Sequence, residues 1–306
     1  MKPDVWIPDT TAPRFRAPID AIAHVHDFPT EAVPRAPLGH ADILVAGHRV
    51  GSALRVLPYL EGLRVIQAFS AGVDALVDQL PPGMTLCDAS GVHDVSVAEW
   101  IVMAVLASNR GLARLVTAQQ ERRWEHERVA GTDLDGAEVL IVGYGSIGRA
   151  VEERLRPFGV TVTRVARRPR DGVEPLTDLV GLVGAADVVI CLLPLTTETL
   201  RVFDGRVFGA MKSGSLLVNA SRGGVVDTVA LIEAVGSGRI RAALDVTDPE
   251  PLPDGHPLWS LPGVLVTPHV AGDVLREEER AWALTVDQIQ RFAQGEPLRN
   301  VVVDGY

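Results

Sequence analysis

Residues Glu138 to Phe158 constrain the fold more than any other stretch of this chain. An apolar run, Glu138-Val139-Leu140-Ile141-Val142, reads as a buried parallel strand and leads straight into Gly143-Tyr144-Gly145-Ser146-Ile147-Gly148. Helical spacing then runs from Ile147 to Phe158 and ends at Pro157-Phe158-Gly159. A glycine-rich turn between strand and helix lets the backbone approach a pyrophosphate, and the helix N-terminus offers N–H groups and the positive end of its dipole. Such turns also occur without a ligand, but the strand–turn–helix setting points to dinucleotide binding.

The rest of the chain alternates strand and helix signals. Short strands are predicted at Asp4–Ile7, Asp42–Val45, Arg64–Gln67 and Thr85–Cys87, with a helix-like piece at Ser52–Leu60. A long helix is predicted from Val95 to about Gln120, carried by Val97, Ile101, Val105 and Leu112. A second run of strands follows at Val139–Val142, Thr161–Val165, Val188–Leu192, Leu216–Asn219, Ile240–Leu244 and Val264–Thr267. Helices are expected between them, at Ile147–Leu155, Leu176–Gly184, Asp204–Met211 and Asp227–Val235. This alternation implies α/β architecture with doubly wound parallel sheets covered on both faces. The glycine turn falls near residue 145, so the dinucleotide domain lies in the second half and a smaller α/β domain precedes it.

At 306 residues the chain is long enough for two cores. Its net charge of −10 argues against nucleic acid or an anionic membrane as partner. Apolar runs such as Trp100–Ala107 fall far short of the roughly 20 residues that span a bilayer. The start, Met1-Lys2-Pro3-Asp4-Val5, shows no secretory pattern, so a cytoplasmic globular protein is expected. Cys87 and Cys191 form neither a disulfide framework nor a zinc pattern, and Cys191 reads as a small buried hydrophobe. His24 and His26 lie on one strand face, but no third ligand stands at useful spacing, so no metal is expected.

An NAD site needs a carboxylate at the end of the second strand of the dinucleotide unit, whereas basic residues there admit a 2′-phosphate. Here Val160–Val165 runs into Ala166-Arg167-Arg168-Pro169-Arg170. No acid stands at the strand end, and three arginines follow. Either they form a solvated basic turn or they clamp the 2′-phosphate of NADP, because guanidinium pairs bidentately with phosphate. NADP is the preferred cofactor on this reading, with NAD as the alternative.

Three further segments carry chemistry-bearing residues at strand ends, where ligands bind in open α/β sheets. They are Leu217-Val218-Asn219-Ala220-Ser221-Arg222-Gly223-Gly224, Ala243-Leu244-Asp245-Val246-Thr247-Asp248-Pro249-Glu250-Pro251 and Val264-Leu265-Val266-Thr267-Pro268-His269-Val270-Ala271-Gly272. With the glycine turn, with Phe69-Ser70-Ala71-Gly72-Val73-Asp74 and with Gly295-Glu296-Pro297-Leu298-Arg299-Asn300, these segments resemble the D-isomer-specific 2-hydroxyacid dehydrogenases, of the glyoxylate/hydroxypyruvate reductase type. The resemblance covers almost the whole chain. It implies a Rossmann cofactor domain, residues 97–275, inserted into a smaller flavodoxin-like substrate domain formed by residues 1–96 and 276–306. The helix from about Leu275 to Gln294 returns the chain to that first domain.

The resemblance also implies a catalytic trio of Arg222, Glu250 and His269. The chemistry wants the same residue types. Reduction of a 2-oxo acid leaves an alkoxide-like oxygen that needs a proton, and an imidazolium is well suited to give it. A neighbouring carboxylate, Glu250, favours the charged imidazole. Arg222 presents a planar fork to the substrate carboxylate. By resemblance, backbone N–H groups around Ala71 and Gly72 complete the substrate clamp. Asp245 corresponds to the acceptor of the nicotinamide carboxamide, while Pro194, Thr199, Ala220, Ser221 and Gly272 line the cofactor. Residues 95–120 would make a homodimer interface, with Trp124 either an anchor there or packed on its own domain. His93 has no assigned role, and Asp273 departs from the small or hydroxyl residues usual in the family.

Two function classes follow. One is an enzyme that reduces a small 2-oxo acid with NADPH. The other is a dinucleotide-sensing scaffold of the same fold with little turnover. Formate-oxidising relatives are disfavoured because they carry an amide where Glu250 stands. Phosphoglycerate-oxidising relatives often append a regulatory domain, which is not expected beyond Tyr306.

Overall fold

A computed structural model describes residues 2–77, 79–81, 83–125, 131–168 and 170–303. The chain divides into two compact units, Met1–His93 with Val274–Tyr306, and Asp94–Asp273.

The first unit is built on β1 (Asp4–Pro8), β2 (His24–Phe28), β4 (Ile43–Gly47), β6 (Val65–Ala68) and β7 (Thr85–Cys87), all parallel, in the order β2-β1-β4-β6-β7. A separate two-stranded pair joins β3 (Gly39–His40) to β5 (Leu60–Glu61). Strand periodicity explains how one sheet feeds two cores. Ile43 and Val45 of β4 pack with Phe15 and Ile19 of α1 (Pro13–Asp20) and with Trp282 and Ile289. Leu44 and Ala46 face the other way, against Ala53 and Val56 of α2 (Val50–Val56) and Leu76 of α3 (Asp74–Val77). β2, on which His24 and His26 share a face, gives no apolar strand signal, because His-Val-His-Asp-Phe is an edge strand with only its last residue buried.

The second unit carries seven parallel strands. They are β8 (Glu138–Val142), β9 (Thr161–Ala166), β10 (Glu174–Pro175), β11 (Val188–Cys191), β12 (Leu216–Asn219), β13 (Arg241–Leu244) and β14 (Val264–Val266), ordered β10-β9-β8-β11-β12-β13-β14. Strand order reverses between β8 and β11, the switch point where a doubly wound sheet opens a crevice for ligands. Val139 and Ile141 pack under α4 (Asp94–Asn109) and α6 (Ser146–Leu155). Leu140 and Val142 pack under α7 (Leu179–Leu182), α8 (Gly205–Ala210) and α9 (Thr228–Gly236).

The single helix predicted from Val95 to Gln120 is two. α4 ends at Asn109, and α5 (Leu112–Gln120) leaves it at 69°. Gly111 sits between them at φ 61°, a left-handed conformation that glycine adopts at no steric cost and that ends a helix. The apolar periodicity runs on through the break, which is why the pattern looked continuous. The helix expected at Leu176–Gly184 is likewise a short α-helical turn flanked by 3-10 segments. α10 (Glu277–Gln294) packs on α1 in the first unit and stops at Gly295, again left-handed. Among the described residues no single helix is long and apolar enough to cross a membrane. The bent α4–α5 pair has the length and composition, but α4 buries Val97, Ile101 and Val105 in a core of the second unit.

Candidate active site

Strand β8 delivers the glycine-rich turn at the switch point. Gly143 takes φ 104°, and a Cβ there would come within 2.5 Å of the Leu192 carbonyl, so no other residue fits. Gly148 lies against Gly143 O, where a Cβ would stand 3.1 Å away. Beside Gly145, by contrast, a Cβ would meet nothing within 4 Å, and α6 receives no side-chain cap from it. The first-turn N–H groups of α6 lack acceptors within the helix. An open turn, a closely packed third glycine and an uncapped helix start are what a pyrophosphate requires. The residues present fit a dinucleotide.

Tyr144 is held on all sides. Its N–H and that of Gly143 donate to Val165 O, both at 2.9 Å. Its hydroxyl donates to Glu152, which also accepts a paired bond from Arg164. That guanidinium holds the Glu152 carboxyl well below the usual range, at about 2. Arg164 and Arg170 both lie over the Tyr144 ring, and Arg170 Nη2 donates to Tyr144 O at 2.6 Å. The end of β9 is Ala166, with Arg167 and Arg168 exposed beyond it. Pro169 lies outside the described residues.

The three predicted chemical side chains stand at the C-terminal ends of adjacent strands, Arg222 after β12, Glu250 after β13 and His269 after β14. Glu250 Oε1 and His269 Nδ1 are 2.6 Å apart, with about half of each side chain open to solvent. Arg222 Nη1 donates to Ser221 O at 2.8 Å. Its loop is braced by buried Asn219, which accepts from Ser221 N and Oγ and donates to Arg222 O. Gly223 admits no side chain: a Cβ would fall 1.9 Å from Thr247 O in the loop that leads to Glu250.

His269 itself has φ 56°, uncommon for a residue with a Cβ. Its N–H donates to Asp245 O at 2.7 Å, and the Asp245 carboxylate accepts from Thr267 Oγ1, Val270 N and Ala271 N. Among the other expected cofactor residues, Thr199 turns its hydroxyl inward to Pro194 O at 2.6 Å and is buried. Ser221 Oγ lies 3.4 Å from Cys191 Sγ, whose thiol burial pushes up to about 11.

In the first unit, Ser70 Oγ closes its loop onto Gly72 O at 2.7 Å. A pocket of about 130 Å3 opens at the C-terminal ends of β1 and β4, lined by Thr10, His48, Arg49, Phe69 and Trp282 among others. His93 Nε2 bonds Phe69 O at 2.9 Å, near buried Glu277. His26 bonds Asp4 and stacks on Trp6, while His24 is exposed. Asp4, His40 and Asp42 bring possible ligand atoms within 4.8 Å of one another, from strands whose pairing the sequence does not reveal.

A sheet with this strand order and an open glycine turn at its switch point defines a Rossmann-type dinucleotide-binding unit. The model of the D-isomer specific 2-hydroxyacid dehydrogenase NAD-binding domain matches residues 102–271, and the chain belongs to this family of oxidoreductases. A Corynebacterium melassecola protein, described as uncharacterized in the proB 3′ region, is 36% identical over 84% of this chain and 88% of its own length. The D-3-phosphoglycerate dehydrogenase of Methanocaldococcus jannaschii is 31% identical over 86% of this chain, which spans about half, 52%, of that relative. The structure of an NADPH-dependent glyoxylate/hydroxypyruvate reductase from Sinorhizobium meliloti, in complex with NADP and sulfate, is 26% identical and superposes with a TM-score of 0.84 over 100% of both chains. A D-isomer specific 2-hydroxyacid dehydrogenase from Xanthobacter autotrophicus, in complex with NADPH and MES, gives 28% identity and a TM-score of 0.82 over 100% of this chain and 99% of its own.

Proposed function

We propose that the protein reduces a small 2-oxo acid of the glyoxylate/hydroxypyruvate type, using NADPH in preference to NADH. The observation that carries this reading is the Glu250–His269 pair, 2.6 Å apart, one strand over from the Arg222 loop. A nicotinamide cofactor held at the glycine turn would, when bound, supply the hydride that the carbonyl carbon needs. His269 gives the carbonyl oxygen its proton from the ring nitrogen not engaged by Glu250. Glu250 holds Nδ1 and so fixes the ring orientation. Arg222 binds the substrate carboxylate through its guanidinium fork and draws electron density from the adjacent carbonyl. Arg167 and Arg168 face the 2′-phosphate in this reading, and Ala166 leaves room where an NAD site has an acid. The bound NADP and NADPH of the two structural relatives support that preference.

Exposed Met103, Leu112 and Val116 on α4 and α5, with Trp124 beyond at 93% exposed, support a homodimer through that face. We place the enzyme in the cytoplasm.

Steady-state oxidation of NADPH and NADH against glyoxylate, hydroxypyruvate, pyruvate and bulkier 2-oxo acids tests the assignment. Turnover on the small acids supports it. Tight cofactor binding with negligible turnover on every acid identifies a dinucleotide sensor instead.

A further inference from the structure

Asp94 is the first residue of the second unit and opens α4, while Ser146 opens α6 directly after the glycine-rich turn. The two residues are far apart in sequence, yet Ser146 Oγ donates to Asp94 Oδ1 at 3.0 Å. A carboxylate therefore already stands at the helix start whose N–H groups and dipole suit a pyrophosphate. Anions stabilise such a terminus, and two anions in the same field oppose each other. The Ser146 hydroxyl has a single proton and cannot donate to Asp94 and to a phosphate oxygen together.

Resting on the cofactor reading above, we propose that Asp94 is a positioning residue that acts through Ser146 to hold dinucleotide affinity down. Its carboxylate occupies the hydroxyl proton that a pyrophosphate oxygen would take, and it repels the arriving charge. Binding turns the hydroxyl from Asp94 to the phosphate, and release turns it back. The contact is made at the start of α6, directly after the glycine-rich turn, and the dinucleotide pyrophosphate is common to both cofactors, so NADPH and NADH are affected alike.

Titration of the full chain with NADPH and with NADH, followed by cofactor fluorescence, tests this. Asp94→Asn should bind both cofactors about three- to tenfold tighter, with their ratio unchanged, and the gain should shrink as salt is raised. Asp94→Ser keeps a short polar side chain at the start of α4 while removing the charge, and should tighten binding in the same way even if the Asn variant folds poorly. Ser146→Ala, which keeps the carboxylate, should bind no tighter than the unaltered protein. If both Asp94 variants melt normally and bind either cofactor equally or more weakly, Asp94 is only a first-turn carboxylate of α4 and the proposal is overturned. Failure of the unaltered protein to bind any dinucleotide overturns the cofactor reading, and this proposal with it.

Discussion

Asp245 holds His269 in place through its backbone, accepting the His269 N–H on its carbonyl oxygen at 2.7 Å, while its buried carboxylate collects Thr267, Val270 and Ala271. His269 needs such a brace because its φ of 56° is a conformation an L-residue adopts at a cost of roughly 1–2 kcal/mol. Asp245→Ala removes the acceptor of three donors, of which the Ala271 N–H is buried, Thr267 half-buried and Val270 exposed. One buried unsatisfied donor costs about 1–3 kcal/mol, so the melting temperature should fall by several degrees. Under the proposed mechanism, turnover should fall at least ~10-fold as well, because a misplaced proton donor loses its geometry. A normal melt together with normal turnover would remove Asp245 from the support of the site.

The Glu250–His269 pair carries the second prediction. His269→Ala should lower kcat by at least ~10²-fold with little change in cofactor affinity, the usual worth of a positioned acid. Glu250→Gln keeps the shape but replaces the carboxylate that holds His269 Nδ1, so kcat should fall ~10-fold or more as the ring loses its orientation, with little change in cofactor affinity. Unchanged turnover would show that Glu250 does not position His269.

Much of the fold and the order of the chemical residues could be read from the chain, because both rest on local signals. β8, the glycine turn and α6 announce themselves through an apolar run, a spacing of glycines and a helical period. Arg222, Glu250 and His269 each follow a strand signal. What escaped depends on contacts between distant segments. Asp245 is marked as a cofactor residue by the family resemblance alone, and its grip on a loop more than twenty residues onward has no spacing signature. Asn219 was visible only as a strand end, although it braces Arg222. Asp94 and Ser146 meet because α4 and α6 pack side by side. The break at Gly111 hid inside an uninterrupted apolar pattern, since one glycine does not disturb a hydrophobic period.

The buried Glu152 gives a stability prediction in acid. The Arg164 guanidinium holds its folded-state value at about 2, below the ordinary 4.5. A group whose value is depressed on folding contributes its stability above the unfolded value and loses it as pH falls toward the folded one. Glu152→Gln should therefore melt well below the unaltered protein at neutral pH. The gap should close as pH drops from about 4.5 toward about 2. A gap that stays constant across that window would mean the Glu152–Arg164 pair contributes nothing that titrates.

Cofactor choice is the claim most open to redesign. Ala166 ends β9 where an NAD site carries an acid, and Arg167 and Arg168 are exposed beyond it. Arg170 is engaged with Tyr144, so the first two arginines are the ones assigned to the 2′-phosphate. Charge-assisted bonds of this kind contribute about 1.5–3 kcal/mol each. NADPH should then exceed NADH by at least ~10-fold in kcat/KM, since about 1.4 kcal/mol is tenfold. Ala166→Asp combined with Arg167→Ser should reverse the order, because the new carboxylate repels the phosphate and accepts the ribose hydroxyls. Arg170→Leu should instead affect both cofactors together, through the glycine turn it steadies. Equal use of NADH and NADPH by the unaltered protein would reduce Arg167 and Arg168 to a solvated turn.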